Sequence, residues 1–196
     1  MNEHRGYSKS PFATIGATGR FEGREENDYY ATSPKATEML LDLERFDKCI
    51  WECACGEGHI AKVLKSHNYI VRCTDLIDRG FGEGNVDFLK CTKPWSGDII
   101  TNPPYKYATE FVEKALALVP NHSKVAMFLK LTFLEGKARK KLFEKYPPKC
   151  VYVSSSRLKC AKNGVFAKGN KNNAICYAWF VWEKGFRGEP VIRWFN

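Results

Sequence analysis

The sequence predicts an α/β protein in which helices cover both faces of a β-sheet. Apolar, strand-like runs alternate with segments whose apolar residues recur at helical spacing, and this alternation is typical of α/β folds. The 196 residues fit one domain, and a chain of this length buries roughly 70% of its unfolded surface. With 44% hydrophobic and 27% charged residues, a mainly disordered or fibrous protein is excluded.

The elements follow in order along the chain. Residues 1–27 are polar and aperiodic, so we expect a flexible N-terminal arm before a folded domain of residues 28–196. Helical spacing of apolar residues, with Pro34 near the first start, predicts helices at 34–46, 58–67, 106–119 and 134–146. Apolar runs predict strands at 48–53, 69–75, 85–89 (or the exit of a strand), 97–105, 124–131, 149–155 and 173–184. The polar, basic, Gly- and Asn-rich residues 156–173 are expected to form a loop.

The cysteines favour buried, reduced thiols over disulfides or a metal site. They include no C-x-x-C pair, several lie in strand-like runs, and the four histidines are scattered. No apolar run approaches the ~18 residues of a membrane helix, and residues 1–12 lack the apolar core of a signal peptide. We therefore expect no metal, no membrane association and a cytoplasmic location. The cysteines are Cys49, Cys53, Cys55, Cys73, Cys91, Cys150, Cys160 and Cys176.

Positive charge is concentrated towards the C-terminus. The net charge is +9, and from residue 130 onward there are 15 Lys and Arg against 4 Asp and Glu. A one-sided basic patch suggests a polyanionic partner, most simply nucleic acid, although a solvated helix face and loop remain an alternative. The candidate phosphate-binding residues are Lys137, Arg139, Lys140, Lys141, Arg157, Lys159, Lys162, Lys168 and Lys171.

A glycine-containing loop follows the first long strand. Glu52-Cys53-Ala54-Cys55-Gly56-Glu57-Gly58 ends that strand and opens a helix. The glycines permit a sharp bend and close approach to a ligand, but the pattern is not the G-x-G-x-x-G of a pyrophosphate site. Glu52 would attract a cationic group or an amine, while the loop amides would serve a carboxylate. A tight turn without a ligand remains the alternative.

Acidic residues end the next two predicted strands. Asp75 lies 19 residues beyond Gly56, where an acid can accept hydrogen bonds from both hydroxyls of a ribose. Asp87 and Phe88 could bind an adenine, because the acid accepts from the exocyclic amine and the ring stacks. A loop cap or a salt bridge is the alternative for Asp75.

The turn Asn102-Pro103-Pro104-Tyr105 is the most specific local pattern. The prolines fix φ and remove two backbone donors, which leaves carbonyl acceptors beside the amide oxygen of Asn102 and the ring of Tyr105. Two acceptors and a stacking ring suit an amino group on a planar, conjugated system. Neither Asn nor Pro is a strong base, so any catalysis would depend on positioning and electrostatics.

Together these residues resemble a class I S-adenosylmethionine-dependent methyltransferase of the DNA N6-adenine type, in the compact form carried by phages and prophages. The matching residues are Tyr30-Ala31-Thr32-Ser33-Pro34, Glu52 to Gly58, Asp75, Asp87-Phe88 and Asn102 to Tyr105. The resemblance spans residues 28–105, whereas Arg157 to Trp182 is similar in character only. It implies a Rossmann-like domain with a mostly parallel seven-stranded sheet and an antiparallel strand near the C-terminus.

The resemblance also implies roles for matched positions. Thr32 and the glycine loop would hold the methionine part of the cofactor, Glu52 its amino group or sulfonium, Asp75 the ribose, and Asp87 with Phe88 the adenine. Asn102 and the Pro103 carbonyl would bind the target amine, and Tyr105 would stack on a base that has been flipped out of the duplex. Phe166 in the 156–173 loop is expected to be the second stacking face or, alternatively, to fold onto the core. The full cofactor set is Tyr30, Thr32, Pro34, Glu52, Ala54, Cys55 (backbone only), Gly56, Gly58, Asp75, Leu76, Asp87 and Phe88.

The resemblance leaves the substrate open. DNA adenine is the expected target, and the chain has little room for a separate target-recognition domain, so a partner subunit or oligomer is possible. The alternatives are a methyltransferase acting on RNA or on a protein glutamine, and a non-catalytic nucleic-acid-binding module. A nucleotide-dependent dehydrogenase is disfavoured because G-x-G-x-x-G is missing and the double-proline turn would have no role there.

Overall fold

The structure is a computed structural model that describes residues 30–156, 158, 160–162 and 175–195, with the backbone alone at 160–162. The expected N-terminal arm, residues 1–27, lies outside the described residues. The strands are β1 Tyr30–Thr32, β2 Cys49–Glu52, β3 Ile70–Cys73, β4 Asp98–Thr101, β5 Lys124–Lys130, β6 Cys150–Ser154, β7 Cys160–Lys162, β8 Tyr177–Glu183 and β9 Val191–Phe195. The α-helices are α1 Pro34–Leu43, α2 His59–Ser66, α3 Ala108–Leu118 and α4 Lys137–Lys145.

Seven of the strands form one sheet in the order β3-β2-β4-β5-β8-β6-β9. Strands β2, β3, β4 and β5 pair in parallel, β6 and β9 also pair in parallel, and β8 runs antiparallel to both of its neighbours. The expected fold class is confirmed: a mostly parallel, seven-stranded, Rossmann-like sheet with an antiparallel strand near the C-terminus.

The core lies on both faces of this sheet because successive residues of a strand point to opposite sides. In β5, Val125, Met127 and Leu129 belong to the apolar cluster that contains α3 residues and Leu142 of α4. Ala126 and Phe128 belong to the cluster that contains α1 and α2 residues. Strand β5 is therefore fully buried between two helical layers, as its continuous apolar sequence predicts.

One predicted strand is wrong. Residues 85–89 do not form a strand; Phe88–Lys90 is a short 3₁₀ helix. Asp87 caps this turn because its carboxylate accepts a hydrogen bond from the Leu89 N–H at 3.1 Å, a local bond that competes with strand pairing. The seventh strand of the sheet is instead β9, which pairs with β6 at the far edge.

The predicted loop 156–173 is also corrected in part. It contains β7, which pairs antiparallel with β1 in a separate two-stranded sheet, here called the β1–β7 ribbon. The pairing sets Tyr30 opposite Lys162, and Thr32 opposite Cys160. Three-residue strands carry too little periodicity to be recognised, and this one finds its partner about 130 positions away along the chain.

The first helix ends three residues before its predicted limit. Glu44 has extended backbone angles at the C-cap, and its carboxylate is held by the Lys124 ammonium at 2.5 Å and the Tyr152 hydroxyl at 2.6 Å. These two contacts come from β5 and β6, so tertiary structure ends the helix where local propensity would continue it.

Most described cysteines follow the expectation, but Cys176 is exposed. Cys53, Cys55, Cys73 and Cys150 are buried, Cys49 and Cys91 are partly buried, and within the described part of the chain none forms a disulfide. Across the same residues, His, Cys, Asp and Glu never gather in threes around a potential metal position. None of the described helices combines the length and apolarity that crossing a membrane demands.

Candidate active site

A cavity of about 490 Å³ lies at the carboxyl ends of β2, β3 and β4. Parallel strands present these ends along one edge of the sheet, which is where α/β proteins bind their ligands. Segments far apart in sequence meet here, and the predicted site residues that line the cavity are Tyr30, Thr32, Glu52, Ala54, Cys55, Asp75, Leu76, Asp87, Phe88, Asn102 and Pro104. The glycine loop and the double-proline turn therefore face one shared cavity.

Five other predicted residues do not line the cavity. Pro34 is exposed and begins α1, while Gly56, Gly58 and Pro103 lie buried in the walls behind the lining. Tyr105 stands beside the cavity.

The glycine loop is bent by two residues in the left-handed region. Gly56 has φ +53° and Gly58 has φ +78°, a conformation that glycine adopts with least strain. The Gly56 N–H donates to Asp75 Oδ2 at 2.7 Å, and the Ile77 N–H donates to Oδ1 at 2.9 Å. Asp75 thus ties the end of β3 to the turn after β2, which is the loop-capping role that the sequence offered as its alternative. Each carboxylate oxygen retains a further lone pair for a ligand hydroxyl.

Glu52 is buried at the end of β2, with 2% of its surface exposed. Its Oε2 atom is buried and has no hydrogen-bond partner among the described residues. Desolvation raises the pKa of Glu52 well above its usual range, and the Asp75 carboxylate adds to this rise. A backbone hydrogen bond at Ala61 and the charge of Lys65 oppose it. A bound cation would favour the ionised form of this buried carboxyl group, because its charge would offset the cost of desolvating the carboxylate.

The amide of Asn102 has a defined orientation. Its Nδ2 donates to the Tyr30 carbonyl at 2.7 Å, which directs Oδ1 the other way. Oδ1 is buried and has no hydrogen-bond partner among the described residues, although Asn102 lines the cavity. An unpaired buried acceptor is costly, so this atom is available to a donor that enters the cavity.

Aromatic rings surround Tyr105. The ring of Tyr30 is stacked on it with centroids 6.1 Å apart, and the ring of Tyr177, at the start of β8, lies 5.9 Å away. The Lys130 ammonium stands 4.8 Å from the Tyr105 centroid. This aromatic cluster joins β1, the double-proline turn and β8 beside the cavity.

Helix α4, which carries four of the candidate basic residues, follows the strand that ends at the same sheet edge. Strand β5 ends next to β4, and α4 begins seven residues after Lys130. Lys137, Lys140 and Lys141 are exposed, and Lys140 is 3.6 Å from Glu144. Arg139 is partly buried, with its guanidinium 5.3 Å from the ring centroid of Phe133. Arg157, Lys159, Phe166, Lys168, Lys171 and the side chain of Lys162 lie outside the described residues.

Several cavity residues were missed by sequence reasoning. His59, Ile60, Ile77, Arg79, Lys106, Tyr107 and Phe111 also line the cavity. Burial lowers the pKa of His59. Lys106 and Tyr107 directly follow the double-proline turn, and Ile77 and Arg79 follow Asp75, so proximity to the predicted motifs was the available signal.

Comparison with known proteins agrees with the topology. No family model and no curated protein matches the sequence, but many solved structures share the fold. A Listeria monocytogenes protein described as a class I S-adenosylmethionine-dependent methyltransferase has a TM-score of 0.62 at 11% identity, covering 88% of this chain and 68% of its own. The chain has the class I methyltransferase fold.

Two further proteins with this methyltransferase fold belong to restriction systems. The type I restriction-modification system methyltransferase subunit from Streptococcus thermophilus has a TM-score of 0.61 at 13% identity, over 85% of this chain. A Vibrio vulnificus protein described as the modification subunit of a type I restriction enzyme has a TM-score of 0.59 at 10% identity, over 87% of this chain. The present chain spans about half the length of these two, 47% and 48% respectively.

Proposed function

We propose that this protein transfers a methyl group from S-adenosylmethionine to the N6 amine of adenine in DNA, as a compact cytoplasmic methyltransferase of the kind carried by phages. The observation that carries the proposal is the buried, unpaired Oδ1 of Asn102 in the cavity that also holds the glycine loop. An acceptor fixed at that point suits an incoming N–H donor. The class I methyltransferase fold supports the same chemistry.

The residues of the cavity fit S-adenosylmethionine. Its volume of about 490 Å³ lies in the range of roughly 300–1,000 Å³ typical of small-molecule sites. The unpaired Oε2 of Glu52 suits the positively charged amino or sulfonium end of the cofactor. Thr32 and the glycine loop would hold the methionine part. Asp75 would bind the ribose, and Asp87 with Phe88 would bind the adenine. When bound, the cofactor supplies an electrophilic methyl group on a sulfonium.

The double-proline turn would hold the target nitrogen. Asn102 Oδ1 and the Pro103 carbonyl would accept the two N–H groups of the exocyclic amine, which draws the nitrogen towards tetrahedral geometry and frees its lone pair. The nitrogen would then be held for attack on the methyl group of the cofactor. The bond from that methyl carbon to the sulfonium sulfur would break and leave a neutral thioether, and the surplus proton of the nitrogen would pass to water. These residues act by positioning and electrostatics.

The base would reach this turn only after leaving the duplex. Tyr105 is proposed to stack on the flipped adenine at the side of the cavity, with Phe166 as the opposite face. Lys130, 4.8 Å from the Tyr105 ring centroid, supports an anionic substrate beside the same ring. The basic residues of α4 and of the segment between β6 and β8 would bind flanking phosphates.

A nucleic-acid substrate is favoured over a protein glutamine by charge. The excess of Lys and Arg after residue 130 would not help to bind a neutral glutamine amide, whereas its positive charge would attract the phosphates of a nucleic acid. DNA is proposed over RNA because two structural neighbours are, by name, subunits of type I restriction systems. A partner subunit in target recognition is proposed because two structural neighbours are subunits by name.

Incubation with labelled S-adenosylmethionine and separate DNA, RNA and protein pools tests the proposal. We expect label in DNA, with N6-methyladenine identified by mass after digestion. Label confined to RNA or protein would replace the proposed substrate, and no cofactor binding by calorimetry would favour a non-catalytic nucleic-acid-binding module.

Replacing Asn102 by Ala tests the central residue. We expect kcat to fall by about 10²–10³-fold, as for the loss of other preorganised groups, while calorimetry gives an unchanged Kd for the cofactor. Asn121→Ala is the matched control because Asn121 is exposed in the turn before β5, at the opposite end of the sheet. Equal activity of the two variants would remove Asn102 from the mechanism.

A further inference from the structure

The orientation of the Asn102 amide depends on a hydrogen bond and on little else. The oxygen and nitrogen of an Asn side chain have nearly the same size and shape, so a 180° rotation costs nothing sterically. If the amide turned over, its NH2 group would face the cavity and would repel a donor. The bond from Nδ2 to the Tyr30 carbonyl, at 2.7 Å, selects the orientation that leaves Oδ1 as the acceptor.

The Tyr30 carbonyl belongs to a short strand that has one strand partner in the described part of the chain. Strand β1 is three residues long and lies outside the seven-stranded sheet. In the described part of the chain, its strand partner is β7 alone. Ala31 and Thr32 are buried and line the cavity, and α1 begins two residues after β1 ends. The first residue of β1, Tyr30, is therefore the one held furthest from α1, opposite Lys162 of β7.

We infer that β7 is a positioning strand: by pairing with β1, it fixes the Tyr30 carbonyl and so holds the Asn102 amide with Oδ1 towards the target amine. The inference rests on the proposed function and goes beyond it, because it gives the β7 backbone a role in orienting Asn102 that is separate from the phosphate contact expected of Lys162. The β1–β7 ribbon makes the segment after β6 part of the catalytic geometry. The same segment carries basic residues expected to bind DNA, which would link substrate contact to the competence of Asn102.

Two proline variants of β7 test this role. In an antiparallel pair, consecutive residues point their N–H groups alternately towards and away from the partner strand. Of Cys160→Pro and Ala161→Pro, one therefore removes a ladder donor while the other places proline at an outward position that edge strands tolerate. The two variants introduce the same residue at adjacent positions, and neither Cys160 nor Ala161 is assigned to cofactor or DNA.

We expect one variant to lose kcat by between about tenfold and a hundredfold, the scale of a misplaced catalytic group. Its Kd for the cofactor should stay at the wild-type value, and the other variant should retain wild-type kcat. A merely structural role would lower cofactor affinity and kcat together. That result, or wild-type kcat in both folded variants, would overturn the inference.

Hydrogen exchange of the Asn102 side-chain amide gives a readout that needs no substrate. Its NH2 resonances are assigned by their disappearance in Asn102→Ala. We expect protection in the wild type, and faster exchange in the variant that loses the ladder bond. If the wild-type enzyme methylates nothing, the proposed function fails. The positioning role of β7 fails separately, if the Asn102 side-chain amide exchanges as slowly in both proline variants as in the wild type.

A milder variant covers the case in which a proline variant does not fold. Glycine weakens a strand without removing a donor, so Ala161→Gly should give intermediate exchange of the Asn102 amide and an intermediate kcat. Backbone amide exchange of residues 30–32 shows whether the β1–β7 ribbon has frayed in the folded Ala161→Gly protein. If it has frayed and the Asn102 side-chain amide still exchanges at the wild-type rate, the inference is overturned.

Discussion

Glu52 carries a carboxyl group whose ionisation is coupled to folding. Burial raises its pKa in the folded protein, whereas the unfolded chain has the ordinary value. As the pH rises between these two values, the unfolded chain releases its proton first, so unfolding becomes more favourable. The contribution to stability is full below the unfolded pKa and is lost as the pH rises through the folded pKa.

We therefore expect the free energy of unfolding of the cofactor-free protein to fall with pH across that interval. Glu52→Gln, which keeps the size and cannot ionise, should remove this part of the pH dependence. Urea denaturation of both proteins at a series of pH values measures it. Parallel stability curves for the two proteins would contradict the assignment, and Glu57→Gln, at an exposed position in the same loop, is the control.

Asn102 and Tyr105 show how far residue-level prediction reaches. Their residue types indicated an acceptor and an aromatic face, and the structure leaves Oδ1 of Asn102, a residue that lines the cavity, without a hydrogen-bond partner among the described residues. The sequence could not indicate that Tyr30 would orient the amide, or that Tyr105 would contact Tyr30 and Tyr177. These contacts join residues about 70 positions apart, which local patterns do not encode.

At the scale of elements, the turn between β2 and α2 has a testable steric limit. A Cβ on Gly58 would lie 2.2 Å from the Phe81 ring, which is flanked by the ammonium groups of Lys62 and Lys65 at 5.2 and 5.1 Å from its centroid. Gly80 has a similar φ of +72° but no atom within 4 Å of such a Cβ. The two glycines therefore share backbone strain and differ in crowding.

We expect Gly80→Ala to cost about 1 kcal/mol of unfolding free energy from left-handed strain, and Gly58→Ala to cost roughly 1–3 kcal/mol more from overpacking. Chemical denaturation of both variants measures the difference. Equal losses would mean that the Phe81 ring moves aside freely.

The elements that were predicted well are those with long apolar patterns. Strand β5 and helix α3 differ from their predicted limits by one or two residues. The failures are short: residues 85–89, where Asp87 caps a turn instead, and β7, whose three residues show no alternation. The end of α1 is set by Lys124 and Tyr152 from other strands. Local sequence propensity determines the type and limits of a long element, whereas tertiary contacts determine those of a short one.

At the scale of the whole molecule, the uneven charge predicts salt-dependent binding to DNA. Each phosphate contact contributes about 0.9 to the slope of log K against log salt concentration. We expect Lys141→Ala, on the exposed side of α4, to reduce that slope by about 1. Fluorescence anisotropy with a labelled duplex at several salt concentrations measures it.

Lys93→Ala is the matched control for this measurement. Lys93 is exposed in the loop before β4, at the other end of the strand from Asn102, so its loss should leave the slope unchanged. A wild-type affinity independent of salt would remove phosphate binding from the function of the basic residues.

The convergence of the site was predictable at this scale because parallel strands end at a common edge. The alternation of strands and helices implied such a sheet, and each unusual motif followed a predicted strand. The order of the strands was harder to predict from the sequence. Strand β9 is the edge strand beside β6, and its Trp194 is 71% exposed. An edge strand of this kind buries little apolar surface, so hydrophobic pattern alone does not announce it.

The reversed direction of β8 has a consequence for how this protein could diversify. Because β6 runs up to the cavity edge and β8 runs back from it, the chain between them departs and returns at one end of the sheet. Extra residues inserted there, beyond β7, lengthen an excursion without shifting any strand in register. Under the proposed function, exchanging the residues between β7 and β8 would change the target preference and leave the strands beneath the cavity in place.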